Sequence, residues 1–97
     1  MEKICKYELE IADEQKINIP AFSRILSVQA QHDKLCLWAV VETEMPLSEI
    51  EILIVGTGNE CPEGCWDNPP IYNNKFLGTV QMHNGLVWHV FTRSYNA

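Results

Sequence analysis

A long apolar run is missing from this chain. The longest, residues 35–41, falls far short of the ~20 residues that a helix needs to cross a bilayer, so no membrane partner is expected. The opening Met1-Glu2-Lys3-Ile4-Cys5-Lys6-Tyr7-Glu8 also lacks the apolar stretch of a secretory signal, and the expected location is the cytoplasm. Basic residues are few. Seven Lys and Arg stand against thirteen Asp and Glu, for a formal charge of −6, and Arg24, Arg93 and five scattered lysines form no stripe. Such a chain repels phosphate backbones, which argues against direct nucleic-acid binding. The same charge fits an acidic inhibitor that occupies a host protein's nucleic-acid-binding groove.

Catalytic signatures are missing too. Val55-Gly56-Thr57-Gly58 follows a strand as a phosphate loop would, but no third glycine and no Gly-Lys-Ser/Thr follows, so a strand end that needs glycine's positive φ is the better account. The pairs Glu8/Glu10 and Glu49/Glu51 sit on wet strand faces, where carboxylates stay solvated. His32 and His83 fall in turns, and His89 reads as a packed, hydrogen-bonded side chain within an apolar strand. The chain is expected not to be an enzyme and to need no cofactor.

What is present is a succession of strand patterns in 97 residues, the length of one domain. Cys5, Tyr7, Leu9 and Ile11 alternate with polar residues, and Ile17 and Ile19 resume the alternation after Ala12-Asp13-Glu14, which predicts a first hairpin. Leu26, Val28 and Ala30 mark another strand, and His32-Asp33-Lys34 a polar turn. Residues 35–41 are apolar at every position, as in a central strand covered on both faces, and Trp38 and Trp88 are assigned to the core. Ile50, Ile52 and Ile54 favour a strand over 47–55, because β-branched side chains are stiff in helices. Asn84-Gly85 between apolar runs predicts a terminal hairpin of 76–82 with 86–93. The fold class is mainly β, one antiparallel sandwich or partly open barrel of six or seven strands, with a long loop near 56–75.

That loop carries the candidate site. Cys61 and Cys65 are separated by three residues, and zinc would need two more ligands, such as His83 or His89. Free thiols are the default in a reducing cytoplasm, with a metal site or a disulfide as alternatives. Trp66 lies among Gly, Asp, Asn and Pro, out of place for a core residue, and with Ile71 and Tyr72 it forms a candidate anchor for a protein partner. Open sheet edges also make a homodimer possible.

The segments Ile25-Leu26-Ser27-Val28-Gln29, Leu37-Trp38-Ala39, Gly56-Thr57-Gly58, Phe76-Leu77-Gly78-Thr79-Val80-Gln81 and Val87-Trp88-His89-Val90-Phe91, with the opening Lys6-Tyr7-Glu8-Leu9, resemble a family of small uncharacterised phage and prophage proteins. The resemblance spans most of the chain, with residues 59–74 longer and richer in Cys and Pro than the family implies. It implies a bacterial or phage-infected cytoplasm and transfers no functional residue, because its motifs are strand cores and turns. The resulting expectation is an accessory module that binds an unknown protein partner.

Overall fold

A computed structural model of the chain describes residues 1–61 and 72–95. Seven strands follow one another: β1 (Glu2–Leu9), β2 (Glu14–Pro20), β3 (Arg24–Gln31), β4 (Lys34–Glu42), β5 (Leu47–Gly56), β6 (Tyr72–Gln81) and β7 (Val87–Tyr95). They form a three-stranded sheet, β1-β4-β3, and a four-stranded sheet, β2-β5-β7-β6, both antiparallel. The sheets do not close on each other, which decides for a sandwich over a barrel. Among the described residues no helix is long and apolar enough to cross a membrane.

Each strand of the two sheets turns one face to the space between them. Leu35, Leu37, Ala39 and Val41 of β4 meet Ile52 and Ile54 of β5 and Val90 of β7 in the main core between the sheets. β4 is central in its sheet, as its unbroken apolar run predicts, but its two faces are covered differently. Cys36 points away from the core yet is buried, because Lys6 reaches across β4 to Gln31 at 2.7 Å and Lys34 pairs with Glu8 at 3.3 Å beside it. Trp38 lies on that outer face too, between Lys6 and Ser27, and is only half-buried, so its assignment to the core does not hold. Trp88, by contrast, packs against the main core.

The predicted first hairpin does not form. β1 pairs with β4 and β2 with β5, so residues 10–13 carry the chain from one sheet to the other. The side-chain amide of Gln15 stands in for a ladder rung there, accepting from the Glu10 N–H at 3.1 Å and donating to the Glu10 carbonyl at 2.7 Å. The terminal hairpin does form, with β6 beginning at Tyr72, so the connection from β5 covers 57–71 and not 56–75. Its tip is a three-residue loop in which Gly85 has φ +89° and donates to the Met82 carbonyl at 3.0 Å. That conformation follows a type I turn and suits glycine.

The β3–β4 hairpin pairs Gln31 with Lys34 and leaves His32 and Asp33 as a two-residue turn, both left-handed at φ 52° and 62°. This is the type I′ geometry, which matches strand twist but favours Asn-Gly. Replacing His32-Asp33 by Asn-Gly is expected to stabilise the fold by about 1 kcal/mol, read as a higher urea midpoint at unchanged slope. A lower midpoint would mean that the native pair makes contacts outweighing its backbone strain.

Candidate binding surface

Most of the residues singled out from the sequence fall outside the described residues. Trp66, Ile71 and Cys65 lie outside them. Tyr72 opens β6, paired with Tyr95. Cys61 is an exposed free thiol near Asp13, Glu14 and Glu60. Among the described residues no group of three or more His, Cys, Asp or Glu side chains is placed to hold a metal ion. His83 sits exposed in the β6–β7 loop.

His89 is hydrogen-bonded as predicted. Its Nε2 meets the Thr57 hydroxyl at 2.7 Å and its Nδ1 the Thr79 hydroxyl at 2.9 Å. Thr57 owes its position to the turn after β5, where Gly58 has φ +90° and the Asn59 N–H donates to the Gly56 carbonyl at 3.0 Å. A side chain at Gly56 would crowd Asn59 Nδ2 at 2.8 Å and the Trp88 ring at 3.1 Å. Glycine at 58 thus meets the predicted need for positive φ, whereas glycine at 56 answers a need for space. The imidazole ties β5's exit to β6 and β7.

Glu51 departs from expectation. Its side chain is 16% exposed and accepts from Arg93 Nη1 at 2.9 Å, with Glu14 at 3.5 Å from the same nitrogen. This group spans the outer face of the four-stranded sheet beside Leu53, Val55 and Phe91, a second buried apolar cluster. Phe76 sets its ring against Phe91 at a tilt of 57°, the centroids 5.3 Å apart.

The surface that stands out lies at the opposite end of the sequence's own emphasis, in the β2–β3 turn. Phe22 is 90% exposed and its backbone is left-handed, φ 64°. A bulky residue is a true outlier there, since the left-handed region costs roughly 1–2 kcal/mol for residues with a Cβ. Two neighbours impose the conformation. The Ala21 N–H donates to the Pro46 carbonyl of the β4–β5 turn at 2.8 Å, and Ser23 returns to the Pro20 carbonyl through its N–H at 3.3 Å and its hydroxyl at 2.6 Å.

Leu47, just past Pro46, is 70% exposed, and the outer face of the three-stranded sheet adds Ile4 at 66% and Leu26, the extra residue of a β-bulge, at 54%. Ile4 and Arg24 flank half-buried Val40 in one row. Carboxylates of Glu2, Glu42 and Glu44 border this end. The Glu42 carboxyl is held below its usual range by the Met1 ammonium and then by the Glu44 N–H.

The sequence profile of a domain of unknown function, DUF7352, matches residues 1–97. The chain belongs to this family. No curated protein and no solved structure matches this DUF7352 chain. Its sequence held one signal for the Phe22 surface, a phenylalanine that falls out of strand alternation between Pro20 and Ser23. Nothing local shows that the turn turns left-handed, because the Pro46 carbonyl that holds it arrives from a distant part of the DUF7352 chain.

Proposed function

We propose that this DUF7352 chain is a non-enzymatic accessory module, of the phage or prophage kind that its sequence resembles, acting in the cytoplasm by seating Phe22 in an apolar pocket of a protein partner. The observation that carries the reading is the 90% exposed phenylalanine at φ 64°. Backbone strain that holds an apolar ring out in water returns nothing to folding, and such outliers cluster at binding sites. A projecting knob calls for a concave partner, and aromatic anchors in pockets dominate interface energies. The carboxylates at this end call for a basic rim on that pocket, which would steer association without setting its strength. Leu47, Ile4 and Leu26 supply the surrounding water-excluding contacts.

Affinity capture from bacterial lysate, read by mass spectrometry, compares the native chain with Phe22→Asn and with a Trp66→Ala, Tyr72→Ala double variant. Asparagine tolerates the left-handed turn, so Phe22→Asn is expected to raise stability by about 1 kcal/mol while losing the partner. Loss of the partner in the double variant alone would move the anchor to the 57–71 connection. A partner retained by both variants would overturn both anchors.

A further inference from the structure

We infer that a cavity at one end of the sandwich, running from β2 to the β3 and β6 edges, binds a small amphipathic anion, of which a medium-chain carboxylate is the simplest representative. The two edge strands touch where Gly78 leaves room for Val28, whose Cγ2 lies 2.9 Å from where a Cβ would sit. Toward the starts of both strands the layers instead border an open-mouthed space of about 450 Å³, within the range of roughly 300–1,000 Å³ typical of small-molecule sites.

The walls are apolar: Ile19 and Ile50 come from one sheet and Ile25 from the other, with Leu77 of the β6 bulge between them. The cavity also borders three of the chain's seven Lys and Arg residues, Arg24, Lys75 and Arg93, in a protein with thirteen carboxylates. None of the described lining residues is acidic. Arg93 turns to the outer face of its sheet toward Glu51 and Glu14, and Arg24 stands beside Val40 on the outer face of the other, at the rim; Lys75, paired with the cavity-lining Thr92, is the cation at the mouth, and neither Arg24 nor Lys75 joins an ion pair among the described residues. In an acidic chain this is the place where an anion meets attraction, and the hydrocarbon walls beneath select one with an apolar tail. A cation at the mouth also binds a carboxylate with charge-assisted hydrogen bonds that a neutral head group cannot match.

The test is a titration with sodium octanoate against its neutral counterpart 1-octanol, followed by methyl NMR spectra of the intact protein. Saturable shifts confined to Ile19, Ile25, Ile50 and Leu77 are expected, with octanoate bound about tenfold more tightly than octanol. An Arg24→Gln, Lys75→Gln variant changes only exposed side chains, so its fold is retained. It is expected to erase the preference for octanoate while leaving octanol binding unchanged. Equal affinities in the native protein, or shifts that spread over Ile4, Leu26 and Leu47, would overturn the site. Phe22→Asn is expected to leave the titration intact, which separates this proposal from the partner-binding one.

Discussion

Leu37→Ala is expected to cost about 3–4 kcal/mol. Leu37 is 0% exposed, paired with Tyr7 on β1 and Val28 on β3. Truncation removes three buried carbons and opens a space that the flanking strands cannot close, because their backbones are pinned by ladders on both sides of β4. A chain of this size has a total stability of roughly 5–15 kcal/mol, so the melting temperature should fall by roughly 15–25 °C. Val40→Ala on the outer, half-buried face of the same strand should cost about 1 kcal/mol. Similar losses for the two, measured by urea unfolding, would mean that β4 does not present its faces as described.

Arg93→Met follows, with an expected cost of about 2–3 kcal/mol. Removing one partner of a buried ion pair leaves the other charge uncompensated, a loss of roughly 3–5 kcal/mol when both are fully buried. Here Glu51 is mostly buried and Glu14 half-exposed, and Lys16 stands across from Glu51 on β2, so the loss is discounted. The companion measurement is Glu51→Met combined with Arg93→Met. With both charges gone the outer face continues the Leu53, Val55 and Phe91 cluster, and most of the loss should be recovered. A double variant as unstable as the sum of the single ones would show that Arg93 acts through packing of its stem and not through the pair.

Much of this architecture was readable in the chain. Alternation in β3 and β5, the apolar run of β4 and the Asn84-Gly85 turn each report local backbone geometry, and each element formed. His89 was readable as a bonded histidine because alternation along β7 set it on the face opposite Trp88 and Val90. Glu51 was misread as solvated for a related reason: period two assigns a residue to a face, but what else lies on that face comes from other strands. Arg93 is 42 positions away on one neighbouring strand and Glu14 lies on the other.

The candidate surface was least legible. Trp66, Ile71 and Tyr72 drew attention by composition, whereas Phe22, faintly marked by its break from alternation, stands out through its backbone angle and its exposure. Both depend on the hydrogen bond between Ala21 and Pro46, which exists because β2 joins β5 and not β1.

Side-chain periodicity and turn chemistry act over a few residues, so strand identity, the inward face of most strands and the hairpin tips were already written in the chain. Sheet partnership is a competition among distant segments for the same ladder. It was settled by how two apolar faces close over one core, and with it came the crossing at 10–13, the Arg93 group, the exposed Phe22 and the cavity beside Lys75.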